Sequence, residues 1–365
     1  MIDLFQGVSD YCRLVVPEAH KLPIAVVGAG GIVDGQHLPA YKLAGLEVVG
    51  ITDVNLDRAR EVAARHGIPC VYPRLDELLA DERVRVVDIA VPVAYQPPIF
   101  RAAVAAGKNI LAQKPFTTEP ETARELAALA SEAGVVAAVN QQLRFDEGIA
   151  AAHRMVELGW LGELTTFTLS VNAFTDWTQW NWAQAMERLE IMVHSIHYHD
   201  TVRWFMGEPS SVYAVAGRVP GQYPVGETRT TSSYRFPDGS SALVYANHMN
   251  PGGDNTAEFR IEGTRGAIRG TLGLMYDYPD GRPDTLEVTS TVVGTDGWVP
   301  YPVTQRWFPH AFIGTMGSVL EGIATGSSPR SAVNDNVKTV ELVAALYRSM
   351  ESNEVVHLER TSRVE

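Results

Sequence analysis

The densest group of ionisable side chains in the sequence lies just before and within a predicted helix at residues 194–205. The group consists of Glu190, His194, His197, His199 and Asp200. On a helix, His194 and His197 share a face, whereas His199 points elsewhere. Because imidazole titrates near neutral pH, the pattern predicts a histidine that acts as acid and base on a substrate hydroxyl. A polar helix face with one buried histidine is an alternative interpretation. A three-histidine metal site is another, but the spacing matches no standard zinc pattern, and no metal is predicted.

A second candidate is Lys114, which follows directly on a predicted strand at residues 109–113. A lysine at a strand end can hydrogen-bond a substrate hydroxyl or carbonyl. Its positive charge would stabilise an alkoxide that forms during hydride transfer. A surface lysine with no chemical role is the alternative interpretation.

A glycine-rich turn is the third candidate, and it follows an apolar run from Ile24 to Val27. Gly28, Gly30 and Gly31 come next, which predicts a buried strand that ends in a tight turn. A helix beyond this turn would present free N–H groups to a phosphate, as in a dinucleotide-binding fingerprint. Val33 stands where the fingerprint has its third small residue, so we expect looser packing of helix on strand.

Asp53 ends the second predicted strand, at residues 47–53. Its carboxylate would accept hydrogen bonds from an adenosine ribose and would repel a 2′-phosphate. The predicted cofactor is therefore NAD rather than NADP.

The elements that position these residues alternate between strand and helix from residue 23 to residue 145. This alternation predicts a Rossmann-type α/β domain, with a doubly wound parallel sheet covered by helices on both faces. Ligands bind beyond the carboxyl ends of such strands. The cofactor-binding candidates at these ends are Gly28, Gly30, Gly31, Ile32, Asp53, Pro92, Gln113 and Asn140.

Residues 146–365 have a different pattern and predict an α+β domain with a mainly antiparallel, open sheet. An aromatic segment near its start contains Trp177, Trp180 and Trp182. These rings could stack on a sugar, or they could pack in a core or interface. Residues 1–22 are interpreted as an extension packed on the first domain.

Composition restricts the classes of function. The net charge of −13 argues against binding of nucleic acid, which needs a basic face. The two cysteines have no metal-binding spacing and are interpreted as reduced thiols. No apolar run approaches a membrane span, and the acidic N-terminus is unlike a signal peptide. We expect a cytoplasmic protein with a small-molecule substrate, and the open sheet predicts a homodimer or homotetramer.

The order of these segments resembles the Gfo/Idh/MocA oxidoreductases, the family of glucose–fructose oxidoreductase and inositol dehydrogenase. The resemblance runs from about residue 24 to residue 348. The segments that carry it are 26–32, 106–115, Val139-Asn140 with Arg144, and His197-Tyr-His-Asp200 followed by Arg203, Trp204 and Gly207.

The resemblance implies NAD(P)-dependent oxidation of a sugar or cyclitol alcohol, or the reverse reaction. It implies that Lys114 is the catalytic lysine, that His197 is the acid–base group, and that the Lys114–Pro115 bond is cis. The substrate-binding candidates are Arg144, Trp177, Trp182 and His194.

Two positions depart from the family pattern. Gln113 replaces the glutamate that precedes the lysine, and Val193 replaces an aspartate one turn before the histidine. Such an aspartate would orient the imidazole and raise its pKa, which valine cannot do. Glu190 and His194 could form such a carboxylate–histidine pair shifted by one turn. The spacing of Asp200, Trp204 and Gly207 after His197 favours His197 as the acid–base group. An NAD-dependent glycosidase and a dinucleotide-sensing protein without turnover therefore remain alternative hypotheses.

Overall fold

The computed structural model describes residues 4–180 and 182–358. The chain forms two compact units. The parallel-sheet unit contains Arg13–Phe145 and Phe308–Glu341. The mixed-sheet unit contains the other described residues, 4–12, 146–180, 182–307 and 342–358.

This division differs from the expected ranges 1–22, 23–145 and 146–365 at two places. Helix α1 (Gln6–Cys12) belongs to the mixed-sheet unit, where the neighbouring Phe5 ring packs against Trp160 and Tyr301. Residues 308–341 belong to the parallel-sheet unit, because Val333, Val337 and Val340 lie in its hydrophobic core. Residues 1–3 and 359–365 of the expected ranges lie outside the described residues.

A parallel sheet forms the centre of the first unit. Its strands are β1 (Ile24–Val27), β2 (Val48–Thr52), β3 (Val86–Ile89), β4 (Asn109–Ala112) and β5 (Ala137–Val139), in the order β2-β1-β3-β4-β5. All neighbouring pairs are parallel, which confirms the Rossmann-type fold. Outside these strands, Val71 forms one isolated parallel bridge with Ile51.

The helices of this sheet begin and end where local signals predict. They are α2 (Leu38–Leu43), α3 (Leu56–His66), α4 (Leu75–Ala80), α5 (Gln96–Ala105) and α6 (Pro120–Glu132). The Asn55 side chain caps α3 by accepting from Arg58 N, and Gly67 ends α3 with a φ of 72°. A π-helical turn, Val33–His37, precedes α2.

The second unit is built on a mixed sheet. Its strands are β6 (Leu164–Asn172), β7 (Ser211–Gly217), β8 (Arg229–Arg235), β9 (Ser241–Asn247), β10 (Thr256–Gly263), β11 (Gly266–Thr271), β12 (Leu286–Ser290), β13 (Val299–Pro300) and β14 (Val356–His357). Their order is β13-β12-β11-β10-β6-β9-β8-β7-β14, and the neighbours are antiparallel except for β6 and β9. The mainly antiparallel sheet is therefore confirmed, with one parallel pair inside it.

Alternating burial along the strands shows that one face of this sheet is covered and the other is largely exposed. In β8 and β9 every second side chain is buried, and the others are largely exposed. Helix α8 (Ile196–Met206) packs on β6 and β9, and α7 (Glu147–Glu157) packs on β11. The later helices are α9 (Trp307–Thr325), which contains one extended residue at Phe308, and α10 (Val333–Ser352).

Among the helices of residues 4–180 and 182–358, none combines the length and the apolar character needed to cross a bilayer.

Candidate functional site

The glycine turn after β1 is held against its neighbouring strands. Gly28 has a φ of 111°, and a Cβ at this position would collide with the carbonyl oxygen of Ala90. The N–H of Gly28 donates to Thr52 O at 2.8 Å, and the N–H of Ala29 donates to Asp53 Oδ2 at 2.7 Å. Asp53 therefore orients the turn as well as ending β2.

Gly30 and Gly31 have a different environment from Gly28. A Cβ on either residue would meet no heavy atom of the described chain within 4 Å. The helix that leads into α2 begins at Gly31 and Ile32, so its first N–H groups lie beside this open space. The two glycines thus border a space that no side chain of the described protein fills, and a pyrophosphate could bind there.

Arg58, near the glycine turn, is hydrogen-bonded to neighbouring groups of the protein. The Arg58 guanidinium donates to Ala29 O at 3.1 Å and to Asp34 Oδ2 at 2.7 Å. Asp34 also contacts Arg65 and His66. Burial raises the pKa of Asp34, but hydrogen bonds from these three side chains outweigh burial and lower it to about 2. Asp34 is thus ionised at neutral pH and neutralises the charge of Arg58, the arginine that contacts the glycine turn.

A buried polar network, which sequence reasoning missed, lies behind the strand ends. His37 is in the π-helical turn before α2, and its Nδ1 is 2.7 Å from Asp88 Oδ2. The hydroxyl of Tyr41 donates to the same oxygen at 2.7 Å. All three side chains are almost fully buried. The signal in the sequence was an aspartate inside an apolar strand, since Asp88 lies in the middle of β3.

Gln113 belongs to this network. Its Nε2 is 3.1 Å from His37 Nε2, and its Oε1 accepts from the backbone N–H of Lys114 at 2.8 Å. Asn140 Nδ2 also lies 3.3 Å from His37 Nε2. These contacts assign Nε2 of His37 as an acceptor and Nδ1 as the donor to Asp88. The glutamine is therefore matched to a neutral histidine and is a coherent replacement for the glutamate of the family.

Gln113→Glu is expected to destabilise the protein by about 1–3 kcal/mol, because a buried carboxylate oxygen would face the His37 acceptor with no proton between them. Guanidinium denaturation measures this loss. Gln36→Glu is the matched control, since it adds the same charge on the π-helical turn that contains His37 but outside the network. An unchanged midpoint for Gln113→Glu would contradict the assigned network.

Lys114 is half-buried at the end of β4, beside this network. Burial lowers the pKa of its ammonium group to about 8. The Lys114–Pro115 bond is cis, as the family resemblance predicted. Gln96 donates to Pro115 O at 3.0 Å and so holds the segment that follows the lysine.

The cofactor-binding candidates meet at one edge of the sheet. The register pairs Val27 with Thr52 and with Ile89, and Ala112 with Ile89 and with Val139. Gly28, Asp53, Gln113 and Asn140 follow four of these positions directly, and Pro92 lies three residues after Ile89. All strand ends therefore lie at the same level, as expected for a ligand at the carboxyl edge.

Arg144, a substrate-binding candidate, is held by partners within the protein. Its guanidinium is almost fully buried, lies 2.7 Å from Asp335 Oδ2 and donates to Arg330 O at 2.8 Å. These partners connect residues 308–341 to the rest of the parallel-sheet unit. A buried arginine with such partners stabilises the fold, and substrate binding by Arg144 stays a prediction.

The histidines of the mixed-sheet unit have distinct environments. His197 is buried, and its ring meets Trp307 edge to face at 5.6 Å. His199 is enclosed between Ser195, 3.1 Å away, and the hydroxyl of Tyr234. Burial lowers the pKa of His199 to about 3, which makes it a neutral core residue.

His194 lies in a π-helical turn, Ile191–Ser195, that precedes α8. Its ring stacks on Trp177 with centroids 5.1 Å apart, and Trp180 packs on it at 5.1 Å. Trp177 is almost fully buried, which fits the core interpretation. Trp182 is 57% exposed and stacks on Trp180, so it presents an aromatic face to solvent.

The suggested direct Glu190–His194 pair is replaced by a contact through His248, a residue that sequence reasoning missed. His194 Nδ1 is 2.9 Å from His248 Nδ1 and 3.2 Å from His248 Nε2, and the two rings are perpendicular. His248 Nε2 is 3.7 Å from Glu190 Oε1. Glu190 and His248 are both fully buried. Within the described ranges, no group of three or more His, Cys, Asp or Glu side chains has the geometry of a metal site.

Two models of one protein family match the chain. The model described as "Oxidoreductase family, NAD-binding Rossmann fold" matches residues 22–141. The model described as "GFO/IDH/MocA C-terminal domain" matches residues 149–269.

Relatives and solved structures agree with these matches. The chain is 26% identical to D-apiose dehydrogenase of Paraburkholderia graminis over 92% of this chain and 89% of the relative. It is 24% identical to D-xylose 1-dehydrogenase (NADP(+)) 2 of Haloferax volcanii, over 92% and 99%. An oxidoreductase from Agrobacterium radiobacter, crystallised with NAD+, L-tartaric acid and magnesium, has the same fold, with a TM-score of 0.82, 23% identity and coverage of 92% and 98%.

Proposed function

Because the chain belongs to the Gfo/Idh/MocA oxidoreductase family, we propose that it transfers a hydride between a hydroxyl of a sugar, sugar derivative or cyclitol and a nicotinamide dinucleotide. The observation that carries this proposal is the open space at Gly30 and Gly31, at the same sheet edge as Lys114. Relatives named for D-apiose and D-xylose support a sugar as the substrate.

The residues at the sheet edge fit the cofactor. The N–H groups of the helix that starts at Gly31 would hold the pyrophosphate, and Asp53 would accept from the ribose. Each Asp53 oxygen accepts one backbone N–H, from Ala29 or Asn55, and keeps a lone pair for this purpose. Arg58 is held by Asp34, which supports NAD over NADP. When bound, the nicotinamide ring accepts or donates the hydride.

The side chains of the protein handle charge and protons. The Lys114 ammonium group would hydrogen-bond the reacting oxygen and stabilise it as an alkoxide. Partial burial strengthens this interaction, because fewer water molecules compete for the ammonium group. On the family resemblance, His197 would take the hydroxyl proton during oxidation and return it during reduction.

A substrate panel tests this function. The purified protein is mixed with NAD+ or NADP+ and with aldoses, aldonic acids and inositols, and formation of the reduced nicotinamide is followed by absorbance. We expect turnover with NAD+ and at least one sugar or cyclitol, and a lower kcat/KM with NADP+. NAD-dependent release of an aglycone without net NADH would instead identify a glycosidase. Tight NAD binding without either reaction would identify a sensor.

A further inference from the structure

Three large aromatic side chains of the mixed-sheet unit are more than half exposed. Trp182 stacks on Trp180 with the ring planes 12° apart, and Tyr278 meets Trp180 edge to face with centroids 6.5 Å apart. Phe174, which is 54% exposed, pairs with Met249, and Met249 packs with Trp180 on one apolar cluster. Proteins rarely leave several large rings together in water unless a ligand or a partner covers them.

This small apolar cluster holds Trp180 in place. Its buried members include Trp177, Leu189 and Val193, and Trp180 packs against them. The Trp177 indole donates from Nε1 to His248 O at 3.3 Å, which fixes its orientation. A surface supported in this way can bind a flat ligand with little loss of side-chain entropy.

A carboxylate lies in the turn that leads to these rings. Asp176 Oδ1 accepts from Thr178 Oγ1 at 2.6 Å, and Asp176 Oδ2 accepts from Gln179 Nε2 at 2.9 Å. These hydrogen bonds lower the pKa of Asp176, which is therefore ionised at neutral pH. Its Oδ2 keeps a lone pair, and a sugar hydroxyl could donate to it.

Charge near the rings disfavours an anionic ligand. The tryptophan segment contains no lysine or arginine between residues 155 and 187. In the loop that carries the tyrosine, Arg282 Nε lies 4.0 Å from Asp277 Oδ2, and Arg306 donates to Asp280 O at 3.0 Å. These two arginines are offset by the two aspartates, so the carboxylate before the tryptophans leaves the surroundings negative. A phosphate would be repelled there, whereas an uncharged sugar ring would not.

Trp182 is connected to the histidine segment through Trp180. The ring centroids are 6.2 Å apart between Trp182 and Trp180, and 5.1 Å apart between Trp180 and His194. A ligand ring on the outer face of Trp182 therefore has two tryptophan rings between itself and His194. It is a different ring from the one whose hydroxyl would exchange a proton with His197, three residues further on.

We propose that the exposed faces of Trp182 and Tyr278 form a stacking subsite for an uncharged sugar ring beyond the ring that is oxidised. The substrate is then a neutral glycoside of at least two rings, not a free monosaccharide or a nucleotide sugar. This inference rests on the proposed function. The C–H faces of a sugar ring pack on aromatic rings, and its hydroxyls stay at the edge, where Asp176 can accept from them.

Fluorine NMR tests the subsite without any turnover. The protein is labelled with 5-fluorotryptophan, and Trp182→Phe assigns the Trp182 signal among the seven tryptophans. Cellobiose, maltose and lactose are the neutral two-ring probes, glucose is the one-ring probe, and UDP-glucose is the anionic probe. We expect at least one disaccharide to shift the Trp182 signal and to bind about 2- to 10-fold more tightly than glucose, the effect of one aromatic stack. UDP-glucose should bind no more tightly than glucose.

Titration calorimetry on variants measures the contribution of the ring. Trp182→Ala should weaken disaccharide binding by about 2- to 10-fold and leave glucose binding unchanged. Trp298→Ala is the matched control, because Trp298 belongs to the same unit but lies against Arg260 and Arg269, on β10 and β11. It should leave both affinities unchanged.

Three results would overturn the subsite. The first is a Trp182 signal that none of the three disaccharides shifts, and the second is wild-type disaccharide affinity in Trp182→Ala. The third is a Trp182 signal that moves with protein concentration instead of with sugar, which would identify a second copy of the chain as the occupant. Tighter binding of UDP-glucose than of any disaccharide would overturn the assignment of a neutral ligand.

Activity then separates this inference from the proposed function. With an oxidised disaccharide, Trp182→Ala should raise KM by about 2- to 10-fold with little change in kcat, because stacking holds the ground state and the transition state equally. If disaccharides shift the Trp182 signal but no sugar reduces NAD+, the proposed function fails and the subsite stands. If free sugars are oxidised and no disaccharide shifts that signal, the subsite fails alone.

Discussion

Lys114→Ala is expected to lower kcat/KM by about 10²- to 10³-fold, which is the usual effect of removing one donor to a developing oxyanion. The physical reason is the position of the ammonium group, half-buried at the end of β4 and beside the cofactor-binding edge. Steady-state kinetics with the best substrate of the panel measures the loss. The affinity for NAD and the denaturation midpoint should stay near the wild-type values.

Lys42→Ala is the matched control, because Lys42 is exposed in the same unit and should be replaceable without effect. Wild-type kcat/KM in Lys114→Ala would show that the lysine has no part in the reaction.

The pH dependence gives a second test of the lysine. Its pKa of about 8 means that the ammonium form predominates below pH 8 and is lost above it. The contribution of Lys114 to kcat/KM should therefore fall as the pH rises through 8. Lys114→Arg should remove this decline, since a guanidinium group stays protonated, although its different shape lowers the maximal rate.

Gly28→Ala is expected to destabilise the protein by about 2–5 kcal/mol, because the residue has a positive φ and its Cβ would collide with Ala90 O. Gly30→Ala and Gly31→Ala should change the folding free energy by less than about 0.5 kcal/mol, since their Cβ atoms enter open space. These two variants should instead bind NAD on the order of 10-fold more weakly or worse, which corresponds to about 1.4 kcal/mol.

Guanidinium denaturation and titration calorimetry with NAD separate the two effects in the three glycine variants. If Gly30→Ala and Gly31→Ala both bind NAD with wild-type affinity, the turn is not the pyrophosphate site. If Gly28→Ala is as stable as the wild type, the collision with Ala90 is relieved at no cost.

Features carried by local patterns could be predicted from the sequence. The apolar run before Gly28, the alternation of strand and helix, and the one-sided strands after residue 163 follow from short-range periodicity, and the fold was therefore predicted correctly. The cis bond before Pro115 came from the family resemblance and is confirmed. Several cofactor-binding candidates were correctly expected at one edge, because parallel strands place their carboxyl ends together.

Features that depend on contacts between distant residues were decided by the tertiary structure. Contacts with His37, which is itself paired with Asp88, explain why residue 113 is a glutamine. His37 lies in the π-helical turn before α2 and Asp88 lies in β3, so neither is a neighbour of Gln113 in the sequence. The partners of Arg144, Asp335 and Arg330, also lie far from it in the sequence. In each case a polar side chain needs a buried partner, and the sequence does not show which distant residue provides it.

The histidine segment shows this division most clearly. By itself the sequence determined that ionisable side chains are concentrated in residues 190–200, and that position 193 lacks the carboxylate expected from the family resemblance. Only the tertiary structure brings His248, from the end of β9, between Glu190 and His194. The reason is physical: periodicity describes which residues share a face of one element, whereas the contact between His194 and His248 is made by the packing of two elements that lie far apart in the chain.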